Sequence, residues 1–451
     1  MAGEELLGLL PPGWEYTTLG DACARGGGEV QTGPFGSQLH AGDYVEAGIP
    51  SIMPQNIGDN RIIEDGIARI TLADARRLSR YLVREGDIVY SRRGDVEKRA
   101  LVREREDGWL CGTGCLRVRL GERDIDPTYA SFYLGHPSVR EWIARHAHGA
   151  TMPNLNTSIL AACPFVVPPL PEQRAIAHIL GTLDDKIELN RRMNETLEAM
   201  ARALFQSWFV DFDPVRAKMD GRDPGLPPHL ADLFPDRLED SELGEIPAGW
   251  RAGPLPDLFD VNPTRALRKG VEAPYLDMAN MPTRGHSPDD VLHRAFGSGM
   301  RFMNGDTLVA RITPCMENGK TAFVDFLEAG QVGWGSTEYI VLRPKPPLPD
   351  EFAYCLARAT EFRDFAIQSM TGSSGRQRVP AESLSHFRVV AAPTPIAELF
   401  GRLIKPLFTR ASAAAREART LAALRDALLP RLISGDLRVK DAELFLKERG
   451  L

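Results

Sequence analysis

The chain has 451 residues and a formal net charge of −7, with 43% hydrophobic and 25% charged residues, which is ordinary for a soluble globular protein. No apolar run approaches the length of a membrane span, and the N-terminus lacks a cleavable signal pattern. These features predict a cytoplasmic protein without a membrane partner. The six cysteines are scattered along the chain and indicate reduced thiols rather than a disulfide framework.

The first 168 residues combine short strands with a later helix. Runs of β-branched or aromatic residues, bounded by turn residues, lie at 87–92, 115–120 and 165–167. A helical stretch follows the second of these runs at 128–147. This mixture predicts an α+β domain with a curved sheet.

Residues 75–105 form a basic window in a chain whose net charge is negative. It holds ten Lys or Arg residues and five acidic residues, so its local balance is +5. For any single arginine here, a solvated and salt-bridged surface is the better interpretation. A salt-bridged surface explains the excess of positive charge in the whole window less well, and this excess favours a nucleic-acid partner.

A long helix is predicted at 172–212, with a narrow apolar seam of heptad type. The seam positions are Ile176, Leu180, Leu183, Ile187, Asn190, Asn194, Leu197, Ala201, Leu204 and Trp208. A helix of roughly 50 Å with so narrow a seam cannot bury itself and needs a partner helix.

Residues 213–247 are rich in Pro and Gly and are predicted to form a linker. A second globular part follows, with strand-like runs at 307–312 and 339–343 and a helical stretch at 349–369. Residues 438–451 are predicted to be a short polar tail.

The partner helix is predicted in the same chain, because the positions 224 residues after the first seam form a second, mostly apolar seam. The second seam consists of Phe400, Ile404, Leu407, Ala411, Ala414, Ala418, Leu421, Arg425, Leu428 and Leu432. Arg425 departs from the apolar pattern, and Pro406 requires a kink or a late helix start. Two separate amphipathic helices are the alternative, but the equal length and phase of the seams favour a coiled-coil pair.

The same offset, with small drifts, relates the globular parts. PGW at 12–14 corresponds to PAGW at 247–250, and GDIVYSR at 86–92 corresponds to GDTLVAR at 305–311. The chain is therefore a two-fold internal duplication of a globular part followed by a long helix.

Four strings resemble the DNA-sequence specificity subunits of type I restriction–modification systems: GPFGS at 33–37, PLPEQR at 169–174, FVDFDPVR at 209–216 and LPRLISGDL at 429–437. Their order and spacing together are specific, and the resemblance covers nearly the whole chain. The second half departs at 393–399, where PTPIAEL lacks the usual glutamine.

The resemblance implies two α+β target-recognition domains, related by a pseudo-two-fold axis and joined by a pair of long antiparallel coiled-coil helices. The implied boundaries are 1–168 for the first domain, 169–212 for its spacer helix, 213–247 for the linker, 248–392 for the second domain, 393–437 for its spacer helix and 438–451 for the tail. Each domain would read one half of a split DNA site, and the helices would set the gap between the halves.

The partners implied are double-stranded DNA and two methyltransferase subunits, and a restriction subunit is left open. This subunit would carry no cofactor, because S-adenosylmethionine, ATP and Mg²⁺ are expected in the partner subunits. The residues predicted to bind the partner subunits lie on the helices: Ile176, Leu183, Ile187, Leu197, Leu204, Leu407, Leu421 and Leu428.

Candidate DNA-binding residues are polar or basic and lie in loops. Arg and Lys suit guanine and phosphate, whereas Asn and Gln suit adenine. The candidates in the first domain are Ser37, Gln55, Asn56, Arg92, Arg93, Lys98 and Arg99, and those in the second are Asn280, Arg311, Lys320, Arg376, Gln377 and Arg378.

No catalytic or metal-binding set is predicted. The segment ending in GKT at 319–321 imitates a phosphate-binding loop, but Pro314 replaces its first glycine. Cys111 and Cys115 have no second ligand pair at zinc spacing. A non-catalytic subunit is favoured, and a self-contained methyltransferase or nuclease and a scaffold without nucleic acid remain the competing hypotheses.

Overall fold

The computed structural model describes residues 4–8, 10–121, 124–149, 153–288, 290–373 and 375–447. The chain forms two compact units. The first unit consists of the residues up to 186 together with those from 420 onward, and the second consists of residues 187–419. Both boundaries fall within long helices.

The first unit contains two four-stranded sheets. The strands of one antiparallel sheet are, in spatial order, Gly27–Thr32, Cys115–Gly121, Ile88–Ser91 and Arg99–Leu101. Those of the other are Tyr44–Val45, Ala68–Ile70, Ile49–Ile52 and Leu110–Cys111, and its last two strands are parallel. Glu15–Thr18 pairs with Pro164–Val167 just before the first long helix.

The second unit repeats this topology. One antiparallel sheet contains Phe259–Val261, Tyr339–Pro344, Thr307–Ala310 and Thr321–Phe323, and the other contains Leu292–Ala295, Glu272–Leu276, Gly333–Gly335 and Met300–Phe302. Arg251–Pro254 pairs with Arg388–Ala391. One edge strand of the second sheet differs between the units: Tyr44–Val45 pairs with Ala68–Ile70 in the first unit, whereas Met300–Phe302 pairs with Gly333–Gly335 in the second. The predicted α+β class and the duplication are confirmed.

The remaining helices are short. Those of the first unit are Glu4–Leu7, Leu19–Arg25, Leu72–Arg77, Pro127–Tyr133, Pro137–His146, Thr157–Ala161 and Val439–Lys447. Those of the second unit are Asp213–Met219, Pro228–Ala231, Leu255–Leu258, Glu351–Arg358 and Thr360–Gln368. Single turns of 3₁₀ helix lie at Ala41–Asp43, Pro54–Asn56, Ser79–Tyr81 and Glu104–Glu106, and a longer one lies at Ala381–His386.

The sequence predicted one helix at 128–147 and one at 349–369. The structure has two shorter helices in each of these stretches. In the first unit the earlier helix ends at Tyr133, and His136, which precedes Pro137, has a non-helical ψ of 136°. This fits the steric rule that disfavours helical geometry before proline. In the second unit Ala359 is extended between Glu351–Arg358 and Thr360–Gln368.

The two long helices, Leu170–Phe209 and Thr394–Ile433, have 40 residues each. Within the first unit Asp184 contacts Arg425, and within the second unit Asn190 donates a hydrogen bond to Glu417 at 3.0 Å. From Asp184 to Asn190 the residue number rises along the first helix, whereas from Arg425 to Glu417 the number of the contacted residue falls along the second. The two helices are therefore antiparallel. Pro406 lies inside the second helix, which therefore does not start late.

The predicted seams are the buried faces of the helix pair. Ile176, Leu180, Leu183, Ala201 and Trp208 are buried on the first helix. On the second helix the buried seam residues are Phe400, Ile404, Ala411, Ala414, Ala418, Leu421, Leu428 and Leu432. Burial of these side chains stabilises the pair through the hydrophobic effect.

Residues 213–247 fold, although their Pro and Gly content predicted a linker. Helix Asp213–Met219 buries Val215, and the strands Leu238–Ser241 and Gly244–Pro247 form a hairpin that buries Ile246 in the core of the second unit. In the region predicted to be a polar tail, Val439–Lys447 is a helix whose Ala442 is buried. Burial of scattered apolar side chains overrides the local turn composition in both places.

Candidate nucleic-acid interface

Arg92 follows the strand Ile88–Ser91 and is held by its backbone between two loops. Its N–H donates to the carbonyl oxygen of Gly114 at 2.8 Å, and its own carbonyl oxygen accepts from the N–H of Leu155 at 2.8 Å. The Arg92 side chain is partly exposed. The backbone bonds therefore fix where this guanidinium leaves the sheet.

Arg311 follows the corresponding strand, Thr307–Ala310, and is held in the same way. Its N–H donates to the carbonyl oxygen of Glu338 at 2.9 Å, and its carbonyl oxygen accepts from the N–H of Val379 at 2.8 Å. Glu338 and Val379 lie 224 residues after the partners of Arg92. The two domains thus place an arginine at an equivalent strand exit.

Polar atoms without hydrogen-bond partners lie on Arg92 and on the two loops that hold its backbone. Buried Nε of Arg92, Oγ1 of Thr113 and Oδ1 of Asn154 all lack a partner among the described residues. The Arg92 guanidinium carbon lies 5.9 Å from the centre of the Phe35 ring, and Phe35 is 53% exposed. Because the unpartnered polar atoms are buried, the accessible part of this set is the Phe35 ring beside the Arg92 guanidinium.

The surroundings of Arg311 carry different side chains. Nε of Arg378 lies 2.9 Å from both Oε1 and Oε2 of Glu338. Nη1 of Arg378 donates to the carbonyl oxygen of Arg376 at 3.3 Å, and buried Nε of Arg311 has no partner among the described residues. The chemistry offered by the second domain therefore differs from that of the first.

Most predicted DNA-binding residues lie on accessible loops. Ser37, Gln55, Arg93, Lys98 and Arg376 are exposed, and Gln377 is partly exposed. Nζ of Lys98 pairs with Oδ2 of Asp95 at 2.7 Å. The structure brings Arg92 and Arg93 together with the loop of Asn154, and Arg311 together with the loop 376–378.

Two predicted residues are buried and form part of the core instead. The Asn56 side chain accepts from the N–H of Met53 at 3.1 Å and donates to the carbonyl oxygen of Ile63 at 3.0 Å. Nε of Arg99 donates to the carbonyl oxygen of Ser131 at 2.6 Å, and burial lowers the pKa of Arg99. Neither side chain is available to DNA here, so both assignments are corrected.

In the second domain, Lys320 also has a structural contact. Its Nζ donates to the carbonyl oxygens of Met278 and Ala279, the second at 3.3 Å. The neighbouring Asn280 is partly exposed and donates from its N–H to Oδ1 of Asp277 at 2.8 Å. Lys320 therefore holds the loop that carries Asn280.

Several arginines of the basic window at 75–105 are paired with carboxylates. Arg103 pairs with Asp184 at 3.4 Å and with Asp185 at 3.0 Å, Arg105 pairs with Glu64 at 3.2 Å, and Arg77 pairs with Asp74 at 2.8 Å. Neighbouring carboxylates thus balance these guanidinium groups, which confirms the salt-bridged interpretation for them.

The residues predicted to bind partner subunits are used mostly inside the helix pair. Ile176, Leu183, Leu421 and Leu428 are buried, and Ile187, Leu197, Leu204 and Leu407 are partly buried. Buried seam side chains cannot contact another subunit. Leu189 and Met200, which the seam analysis missed, are instead 53% exposed each. They lie 11 residues apart, about three helical turns, and so share a face.

Glu338 and Thr113 were also missed as candidates. The alignment at an offset of 224 relates Glu338 to Gly114 and Arg378 to Asn154. This difference at equivalent loop positions was visible in the sequence. The sequence did not show that these loops lie beside Arg92 and Arg311, because that depends on the backbone hydrogen bonds that join them.

Within the described ranges, no group of three or more His, Cys, Asp or Glu side chains is arranged to hold a metal ion. None of the described helices is both long enough and apolar enough to cross a membrane.

Comparison with known proteins agrees with this organisation. Residues 11–199 match the family model described as the type I restriction modification DNA specificity domain. The type I restriction enzyme MjaIX specificity subunit of Methanocaldococcus jannaschii is 25% identical, with 96% of each chain covered. The HindI specificity subunit of Haemophilus influenzae is 22% identical over 86% of this chain and 95% of the relative.

A solved structure supports the fold. The S subunit of a type I restriction–modification system from M. genitalium superposes with a TM-score of 0.52 at 14% identity, covering 93% of this chain and 96% of the other. At this identity the similarity concerns the fold alone.

Proposed function

We propose that the chain is a specificity subunit of a type I restriction–modification system, that is, the non-catalytic subunit that recognises a bipartite DNA site. Each domain reads one half of the site. The catalytic steps, methyl transfer and cleavage, belong to partner subunits, which hold S-adenosylmethionine, ATP and Mg²⁺. A cytoplasmic location follows from the DNA substrate.

One observation carries the proposal of two half-sites. Arg92 and Arg311 occupy equivalent positions with the same backbone bonds, but Gly114 and Asn154 in the first domain correspond to Glu338 and Arg378 in the second. A shared arginine suits a phosphate, which is present at every step of DNA. Different neighbours suit different base edges. The two domains would therefore dock alike and recognise different sequences.

The long helices are proposed to set the gap between the half-sites and to bind two methyltransferase subunits. Each helix is continuous over 40 residues, which supports a stiff spacer. Leu189, Met193 and Met200 form an exposed or partly exposed apolar stripe on the first helix. This stripe replaces the seam residues as the proposed methyltransferase contact, since charged residues are depleted from interface cores.

The recognition proposal is tested with the chain assembled with its methyltransferase partner. Sequencing of methylated adenines in a host carrying the system is expected to show two short specific half-sites separated by a gap of fixed length. A footprint of the assembled complex supplies an independent measurement. One continuous specific site, or no salt-dependent DNA binding by the complex, would overturn the proposal.

The docking proposal is tested by co-purification of the methyltransferase with the variant L189D/M200D. The charged side chains are expected to prevent binding because they would be buried without partners. The control is L72D, which changes an exposed leucine in the first domain. Equal recovery of the methyltransferase with both variants would exclude this stripe.

A further inference from the structure

The second domain contains an ion pair that the first domain lacks. Both carboxylate oxygens of Glu338 lie 2.9 Å from Nε of Arg378. The corresponding positions in the first domain are Gly114 and Asn154, which cannot form an ion pair. The pair is therefore a difference between two otherwise equivalent loop arrangements.

The ion pair adjoins the strand exit where Arg311 is held. The N–H of Arg311 donates to the carbonyl oxygen of Glu338, and the carbonyl oxygen of Arg311 accepts from the N–H of Val379, the residue after Arg378. Thr313 also donates from its N–H to the carbonyl oxygen of Gln377 at 3.0 Å. These bonds fix both loops relative to the sheet, so the pair is preorganised.

Both partners keep hydrogen-bonding capacity. A guanidinium has five N–H donors, and a carboxylate accepts at about four lone-pair sites. The Arg378 bonds described here use Nε for Glu338 and Nη1 for the carbonyl oxygen of Arg376. The side chains are 42% and 23% exposed for Arg378 and Glu338, respectively. A fork of donors and an acceptor are thus accessible side by side.

This combination matches the edges of one base pair. Guanine presents O6 and N7 as acceptors in the major groove, which a guanidinium can bind together, and cytosine presents its N4 amino group as a donor to a carboxylate. We propose that Glu338 and Arg378 act as one unit that reads a single G·C base pair in the half-site of the second domain. The inference rests on the proposed function.

A purely structural role does not explain the pair well. Ion pairs that remain partly exposed contribute little to stability, because solvent screens them and ordering two long side chains costs entropy. Replacement of Glu338 by glutamine keeps the size of the side chain and removes its charge. The variant E338Q is therefore expected to fold, so that its DNA specificity can be measured.

The experiment uses the chain assembled with its methyltransferase partner and a panel of DNA duplexes. The wild-type site is first determined by sequencing methylated adenines, and each base pair of the second half-site is then replaced in turn. Wild-type complex is expected to discriminate against replacement of one G·C pair by about ten- to a hundredfold in binding. R378A and E338Q are expected to lose most of that discrimination and to keep discrimination in the first half-site.

Two controls separate readout from structure. E242Q removes an exposed ion pair with Arg388 in the second unit and is expected to leave the recognised site unchanged. The double variant E338R/R378E restores opposite charges but exchanges their positions, so it is expected not to restore the wild-type preference.

Restoration of that preference by the double variant would overturn the inference, because it would indicate a structural ion pair. An unchanged recognition site in E338Q, or equal losses in both half-sites, would also overturn it. Absence of any bipartite site in the wild-type complex would instead refute the proposed function itself.

Discussion

Nη1 of Arg425 lies 2.7 Å from Oδ1 of Asp184, and this ion pair joins the second half of the second long helix to the first half of the first. Nη2 of Arg425 also lies 3.3 Å from Oδ2 of Asp59 in a loop of the first domain. Burial by itself would lower the pKa of Arg425, but the carboxylates of Asp184, Asp426 and Asp59 outweigh burial and raise it. The one charged seam position thus connects the domain to its helices.

Replacement of Arg425 by methionine is expected to lower the free energy of unfolding by about 1–3 kcal/mol. The buried Asp184 would lose its shortest charged contact, although Arg103 would remain 3.4 Å away. Urea denaturation measures the change. The control R431M alters an exposed arginine on the same helix, and equal destabilisation by both variants would contradict a specific role for the pair.

The sequence predicted those features of the fold that depend on repeated patterns. Regular spacing from Ile176 to Trp208, and again from Phe400 to Leu432, identified the helix seams, because each buried position reinforces the same helical face. The seam rule also singled out Arg425, but could not supply Asp184 as its partner. That contact depends on the antiparallel register of two segments far apart in the chain.

The candidate site was predicted less completely, because exposure of a single polar residue depends on distant packing. Arg99 illustrates this. Its guanidinium occupies the space beside Gly135, where an added Cβ atom would lie 1.8 Å from Nη2. Nothing local in the loop sequence indicates that close approach. Asn56 likewise has the composition of a binding residue and instead closes its own loop.

Arg92 and Arg311 are expected to act on separate half-sites. R92A should weaken DNA binding by the assembled complex without relaxing a base preference, and the slope of log affinity against log salt should fall by about 1. R311A should do the same through the second domain. The measurement is binding at several salt concentrations to duplexes in which either half-site is scrambled.

Scrambling distinguishes the two domains in this experiment. R92A should have little further effect when the first half-site is scrambled, and R311A should have little further effect when the second is scrambled. R376A and R378A should behave like second-domain variants. A loss that is independent of which half-site is intact would contradict the division between the domains.

Thiol labelling is expected to distinguish Cys315 from the other five cysteines in the folded chain. Cys315 is partly exposed, whereas the others are buried. Burial raises the pKa of Cys23, Cys111 and Cys163 to about 12 and also raises those of Cys115 and Cys355. At neutral pH these groups remain thiols, which react more slowly than thiolates.

A chromogenic disulfide reagent at pH 7.5 should therefore label one thiol per native chain and all six after denaturation in urea. C315S should abolish the native labelling and reduce the denatured total to five. Rapid reaction of more than one thiol in the native wild-type chain would show that the core opens far more readily than this packing implies.

Glu351 provides a test of how burial sets the pH dependence of stability. It begins the helix Glu351–Arg358 and is buried. Burial raises the pKa of its carboxyl above the ordinary value of 4.5, and the nearby carboxylates of Asp350 and Asp325 raise it further. A backbone hydrogen bond and the charge of Lys405 lower the pKa, but by less than burial raises it. The native state therefore binds this proton more tightly than the unfolded state, and stability is lost as pH rises from 4.5 through the raised pKa.

The uncharged variant E351Q is expected to have a higher urea midpoint than wild type at pH 7 and nearly the same midpoint at pH 4, where wild-type Glu351 is protonated when folded. E328Q, which neutralises an exposed glutamate in the same domain, should leave the midpoint close to wild type at both pH values. A lower midpoint of E351Q at pH 7 would mean that the charged carboxylate stabilises the start of the helix by more than its burial costs, since helix N-termini favour negative charge.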